Sequence, residues 1–341
     1  MPTTPQIADL EPAARQTLVL TRESIAQLMA FGDYVAAVED AFDRHASGAT
    51  ALAQVVHIPG PGGGFHIKSA ALRGTPAYVA VKVNANFPEN PRLLGLPTVQ
   101  GVVALLDGQN GFPLAILDSM EVTTQRTAAA TAVAAKYLAR PDSRVATVIG
   151  CGVQGRMQLE ALLHVLPIEV VYAFDQDAGR SESFVRDVAS RTECRIVAVK
   201  DLASGTCVSD AIVTCTPARS AFLGPGHVRP GTFIAAVGAD NDDKQEIEPT
   251  LMGRSKVVVD ILEQCERIGD LHHALEARAM KREDVCAELG EVVHGAKPGR
   301  ADSSETFIFD STGSAIQDVA AARVIYERAR AQGLGVPVRF P

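Results

Sequence analysis

Residues 144–177, RVATVIGCGVQGRMQLEALLHVLPIEVVYAFDQD, decide the fold. Val145 to Ile149 form a β-rich apolar run without Gly or Pro, and Gly150, Gly152 and Gly155 follow as G-x-G-x-x-G. Leu159, Leu162, Leu163 and Leu166 then recur at helical spacing until Pro167, and a second apolar run, 170–174, ends on Asp175. In such a unit the first glycine permits the tight turn, the second lets backbone N–H groups approach a pyrophosphate, and the third packs the helix on the strand. An acid roughly 20 residues on accepts from a ribose, and Asp175 stands there. Strand, turn, helix, strand and acid in register predict a dinucleotide-binding βαβ unit rather than a glycine turn in an ordinary α/β sheet. A carboxylate at Asp175 repels a 2′-phosphate, which favours NAD(H) over NADP(H) although Arg180 lies one turn into the next helix.

The 341 residues suffice for two domains, and 47% hydrophobic with 21% charged residues is a globular composition. A net charge of −8 without a basic patch argues against nucleic acid. No run approaches the ~20 apolar residues of a membrane span. Residues 1–16 lack a leader pattern, and the six cysteines show no C-x-x-C spacing, so a cytoplasmic protein with reduced thiols is expected.

Residues 18–46 read as a short strand and one helix. From 51 to 117 the pattern is short strands and turns, a mainly antiparallel sheet in which PGPGGG (59–64) reads wholly as the turn at a hairpin tip and DGQNG (107–111) as a hairpin turn. Thr123 and Thr124 are expected to cap an alanine-rich helix ended by Arg140-Pro141. Runs at 196–199, 211–216, 232–238, 257–261 and 307–309 suit a parallel sheet, and 315–331 a last helix. The expected class is α/β: a Rossmann dinucleotide-binding domain over 125–317, and an α+β substrate domain over 1–124 rejoined by 318–341.

Lys82 and Lys68 interrupt apolar strand patterns. Each is either an edge lysine facing water or a buried cation needing an anion. Arg126 is expected in the first turn of its helix, where the macrodipole disfavours a cation unless an anion is held there. Asp240 follows the 232–238 strand at its carboxyl end, where reacting groups of doubly wound sheets gather, and is read as an acid/base or a helix cap. Residues 214–217 suit a cofactor wall, and 310–313 contacts to ribose or nicotinamide. His272-His273 point about 100° apart on a helix and no third ligand has suitable spacing, so no metal is expected.

The segments KVNANFPEN (82–90), GLPTVQGVVALLD (95–107), TTQRTAAATAVAAKYLARP (123–141), VIGCGVQG (148–155), AVGADNDDKQE (236–246) and FDSTGSAIQDVAAA (309–322) together resemble the ornithine cyclodeaminase/mu-crystallin family. The resemblance implies a homodimer, with 1–124 and 318–341 forming a dimerisation and substrate domain built from both chain ends, Lys82 and Arg126 on a substrate α-carboxylate, Thr98 on the substrate side, and Asp240 as catalytic acid with Lys82. It implies NAD contacts from Gly150, Gly152, Val153, Gln154, Gly155, Asp175, Thr214, Thr216, Val237, Gly238, Ser311 and Thr127. Where the family often carries a carboxylate-binding arginine this chain aligns Gln54, and where ornithine-cyclising members carry an acid it has His66 and Lys68. A cation there argues against a diamino acid. The expected activity is NAD(H)-dependent reduction of an α-imino acid, iminosuccinate favoured over pyrroline-2-carboxylate or iminopyruvate. A redox-neutral cyclodeaminase and a non-catalytic binding protein are the alternatives.

Overall fold

The computed structural model describes residues 16–53 and 55–340, in two compact units: 127–314, and the described parts of 1–126 with 315–341.

The first unit opens with β1 (Thr17–Leu20), α1 (Arg22–Leu28) and α2 (Phe31–Ala46). The single helix expected here is two, because Met29 and Ala30 are extended and Asp33 caps the second start by accepting from Ala30 N at 2.9 Å. Next come β2 (Thr50–Leu52), β3 (Val56–Gly60), β4 (Gly63–Leu72), β5 (Tyr78–Asn86), α3 (Asn90–Leu93), β6 (Val99–Asp107), β7 (Pro113–Asp118) and α4 (Ser119–Leu138). The PGPGGG stretch does form a hairpin tip, but its turn is only Pro61-Gly62: Gly60 pairs with Gly63, so the flanking residues are strand. Pro followed by a glycine at φ +79° is the residue pattern of a tight type II turn.

The second unit begins with β8 (Val145–Ile149), α5 (Val153–Val165), β9 (Val170–Phe174), α6 (Ala178–Ala189), β10 (Arg195–Ala198), α7 (Ala203–Thr206) and β11 (Ala211–Thr214). It continues through β12 (Arg219–Leu223), β13 (Phe233–Ala236), β14 (Gln245–Ile247), α8 (Pro249–Met252), β15 (Lys256–Val259), α9 (Leu262–Cys265), α10 (Asp270–Glu276), β16 (Ala287–Glu288), α11 (Leu289–Val293) and β17 (Phe307–Asp310). Its main sheet is parallel throughout, in the order β10-β9-β8-β11-β13-β17-β15-β16. The order reverses between β8 and β11, the switch point of a Rossmann-type sheet, which opens a crevice at the carboxyl ends of those strands. Strands buried on both faces explain the unbroken apolar runs: Ala211, Ile212 and Val213 are all fully buried. The short β12–β14 pair was not visible in the sequence pattern.

The chain then returns to the first unit with α12 (Ala315–Gln332) and β18 (Val336–Val338). The sheet there runs β18-β1-β7-β6-β5-β4-β2, with β3 paired to β4; it is not wholly antiparallel, since β1 joins β7 in parallel. Helix α12 lies on α2 and over β4 and β5. Its Ile316, Val319 and Ile325 are fully buried, each worth about 1.5–3 kcal/mol. The reverse face is apolar and open: Val56, Ile58, Phe65 and Val102 are exposed, with Ile67 and Val83 between them in register. Among the described residues no helix is long and apolar enough to cross a membrane.

Candidate active site

In the second unit a cavity of about 510 Å³ opens at the switch point, lined by Gly150, Gly152, Asp175, Arg180, Thr216 and Phe222 among others. Gly150 has φ +99°, and a Cβ there would lie 2.8 Å from the Cys215 carbonyl oxygen. A Cβ on Gly155 would meet the Gly150 carbonyl oxygen at 2.1 Å, so the third glycine is required for helix-on-strand contact. Gly152 is the N-cap of α5, has open space where a Cβ would sit, and supplies no side-chain cap to the helix. Uncapped N–H groups at a helix start seek an anion. Asp175 is held across this turn: Cys151 N donates to Oδ2 at 2.9 Å and Asp177 N to Oδ1 at 3.0 Å. These features fit a dinucleotide: a phosphate at the helix start and a fixed carboxylate for the ribose. Val153 and Gln154 form the first turn of α5.

The remaining cofactor residues divide. Thr216 lines the cavity, whereas Thr214 is fully buried with its hydroxyl donated to Glu246 at 2.7 Å; it is not part of the cavity wall. Val237 and Gly238 follow β13, and Gly238 N also donates to Glu246. Ser311 is buried and bonded through its N–H to Ala236 O at 2.9 Å, and Thr127 is buried on α4. Asp240 is half exposed beyond β13 and accepts from Lys244 Nζ at 2.6 Å. The sequence reading passed over both Glu246 and Lys244. On α10 the ligand atoms of His272, His273 and Glu276 lie within 4.8 Å of one another, so a third potential ligand does stand at suitable spacing, contrary to the sequence reading. Both rings are engaged by backbone carbonyls, His272 with Glu266 and His273 with Lys244.

In the first unit the lysines that broke the strand patterns are buried neighbours. Lys68 on β4 stands opposite Lys82 on β5, and the pleat sends both side chains to the α12 face. Waiting on α12 is Asp318, 1% exposed: Lys82 Nζ lies 2.7 Å from each of its oxygens, and Arg126 Nε 3.0 Å from Oδ1. Arg126 Nη1 donates to Gln317 Oε1 at 2.9 Å. Burial pushes the Lys82 ammonium down to about 7, helped by Arg126 and Lys68 and opposed by Asp318. Burial also pushes the Asp318 carboxyl up, but Lys82, Arg126 and Lys68 outweigh it and hold it below the usual range.

Two expectations change here. Arg126 is not in a first helical turn: α4 starts at Ser119, capped by Asp118, whose Oδ1 accepts from Met120 N and Glu121 N at 3.0 Å each. Arg126 therefore sits about two turns inside, beyond the reach of the terminal dipole, and is held by Asp318 and Gln317 instead. Nor do Thr123 and Thr124 cap that helix; they lie within it. His66 stacks on His57 with ring centroids 4.7 Å apart, two residues from Lys68 on the same strand face. Thr98 just precedes β6, far along that strand from Val103, the residue opposite Lys82. Gln54 lies outside the described residues. Asp318 and Gln317 escape the sequence reading; their signal is two polar residues inside the alanine-rich, otherwise apolar stretch AIQDVAAA that opens α12.

A parallel sheet with this switch point, glycine turn and acid makes the chain a Rossmann-class dinucleotide-binding protein with an added α+β unit. It belongs to the ornithine cyclodeaminase/mu-crystallin family, whose model matches residues 15–333. It is 39% identical over 325 residues to the alanine dehydrogenase of Archaeoglobus fulgidus, covering 95% of this chain and 99% of that one. An archaeal alanine dehydrogenase dimer with bound NAD superposes with a TM-score of 0.91 at 38% identity, covering 96% of this chain and 100% of that one. The iminosuccinate reductase of Paracoccus denitrificans in complex with NAD+ gives 0.87 at 31% identity, with the same coverage.

Proposed function

We propose that the chain is an NAD(H)-dependent reductase of the C=N bond of α-imino acids, reversible as an amino-acid dehydrogenase, with iminosuccinate its favoured substrate. The observation that carries this reading is the pair Lys82 and Arg126 sharing the one carboxylate of Asp318 in a buried site. Two cations on one anion leave a positive balance in low dielectric, and an anionic ligand relieves it. Relatives named as an alanine dehydrogenase and an iminosuccinate reductase support the chemistry, and bound NAD in similar structures supports the cofactor.

NADH, when bound, supplies the hydride. Lys82 and Arg126 hold the substrate α-carboxylate, fixing the position of the imino carbon. The half-exposed Asp240 carboxylate takes up a proton from solvent and passes it to the imine nitrogen, so that hydride and proton together convert C=N to CH–NH. Lys244 keeps the Asp240 carboxylate in place through its 2.6 Å contact. Lys68, with His66 beside it, receives the second carboxylate of iminosuccinate. The first unit serves as the substrate and dimerisation domain, its open apolar face covered by a second copy of the chain; the archaeal relative described as a dimer supports this. Six free thiols suit a cytoplasmic enzyme.

The test is NADH oxidation with iminosuccinate generated from oxaloacetate and ammonia, with pyrroline-2-carboxylate, and with pyruvate plus ammonia or methylamine. Fastest turnover on iminosuccinate is expected. A preference for a monocarboxylic imine removes the substrate assignment. Ammonia released from ornithine or lysine with no net change in NADH replaces the reductase with a cyclodeaminase, and no turnover on any of them leaves a binding protein.

A further inference from the structure

We propose that Glu246 is a positioning residue of the reaction: one buried carboxylate that fixes both the wall of the nucleotide cavity and the start of the loop carrying Asp240. The inference rests on the NAD-linked reading above and goes beyond it.

Glu246 lies on the short strand β14 and is fully buried. Oε1 accepts from Thr216 N and from Thr216 Oγ1, each at 2.7 Å. Oε2 accepts from Thr214 Oγ1 at 2.7 Å and from Gly238 N at 2.8 Å. These donors sit at the carboxyl ends of β11 and β13, adjacent parallel strands beside the switch point. Thr216 leads the segment Thr216-Pro217-Ala218 that lines the cavity. Gly238 begins the loop in which Asp240 N returns to Gly238 O at 3.2 Å. A single side chain thus stitches the two strand ends together past the point where their own ladder stops.

The site is built around that carboxylate. A Cβ at Gly238 would lie 2.5 Å from the Glu246 carboxyl carbon and 2.4 Å from the Thr216 carbonyl oxygen, so only glycine admits the contact. Glu246 is anchored from behind, its own N–H donating to Asp270 Oδ1 at 2.8 Å. Burial raises the Glu246 carboxyl above its ordinary range, while its hydroxyl and N–H donors oppose the shift. A buried group solvated by four fixed donors, two of them backbone N–H groups on different segments, holds both segments to one geometry.

The two backbone donors also define the test. Thr216 N needs an acceptor at Oε1 and Gly238 N needs one at Oε2, so neither orientation of a glutamine amide satisfies both. NADH binding to Glu246→Gln, followed by NADH fluorescence without substrate, is expected to weaken at least tenfold; Glu246→Asp, which keeps two acceptor oxygens, should recover part of the loss. At saturating NADH, Glu246→Gln should also lower kcat on the best imine. A variant that melts earlier yet binds NADH within twofold of wild type overturns the proposal and leaves Glu246 a stabilising residue only. If Glu246→Gln does not fold, Thr214→Val removes one buried donor and should weaken NADH severalfold; unchanged affinity there overturns the proposal as well. Wild-type protein that binds NADH but reduces no imine refutes the proposed activity and leaves the Glu246 test intact.

Discussion

Lys82 Nζ stands 2.7 Å from both carboxylate oxygens of Asp318, a residue 236 positions further along the chain. Strand β5 presents the cation and the returning helix α12 the anion, with neither in water. Removing one partner of such a pair costs more than the pair contributes, because the remaining charge stays desolvated. Asp318→Asn should therefore lower stability by about 3–5 kcal/mol. Adding Lys82→Met should recover much of that loss. Chemical denaturation of the single and double variants checks this; a double variant no more stable than Asp318→Asn refutes the coupling.

The Lys82 ammonium, pushed down to about 7 by burial, gives binding of anions a defined pH dependence. The charged form, which attracts a carboxylate, predominates below pH 7, and the neutral form above it. Affinity for a carboxylate inhibitor should be full below about pH 7 and fall above it, by up to tenfold per pH unit. Inhibition constants measured from pH 6 to 9 read this directly. A flat profile would mean that Lys82 does not change charge in this range.

Lys68 and Lys82 are opposite one another in register, so removing Lys68 alone tests whether the pair serves one carboxylate or two. Loss of one partner of a desolvated charge pair costs on the order of 2–5 kcal/mol. Under the iminosuccinate reading, Lys68→Met should reduce kcat/KM for iminosuccinate by that amount, at least about 30-fold, and for a monocarboxylic imine far less. Equal losses on both would make Lys68 an α-carboxylate ligand.

Asp240→Asn should retain the fold and NADH affinity while losing most turnover, since an amide does not exchange a proton near neutral pH. Single-turnover rates on the best imine are the measurement, and near-normal rates would remove Asp240 from the chemistry.

Asp175 is held by Cys151 N and Asp177 N at the nucleotide cavity, where the proposed NAD(H) preference would originate. Asp175→Ser combined with Gln176→Arg should move preference toward NADPH, because the repulsive carboxylate is gone and a cation faces the 2′-phosphate. Wild-type protein that already prefers NADPH would refute this argument.

Much of the nucleotide-binding unit was legible in residues 144–177, because a βαβ unit is local: the glycine spacing, the helical leucines and Asp175 all lie in one short stretch. The alternation of β4 and β5 likewise showed Lys68 and Lys82 as anomalies, though not which way they faced. For Arg126 the dipole argument does not hold, since α4 begins at Ser119 and not at Thr123, and its buried partners on α12 account for it instead. The composition of PGPGGG marks a hairpin tip, but strand pairing across Gly60 and Gly63 shortens the turn to Pro61-Gly62.

The sequence by itself determined the Rossmann unit, its acid, and the presence of cations in apolar strands, since these follow from short-range pattern and residue chemistry. Only the tertiary structure decided that Lys82 and Arg126 share the carboxylate of Asp318, and that Glu246 joins Thr216 to Gly238. Both arrangements bring together residues far apart in the chain, where no periodicity reaches. In each, a buried charge must be met by whatever partner the packing of separate elements supplies.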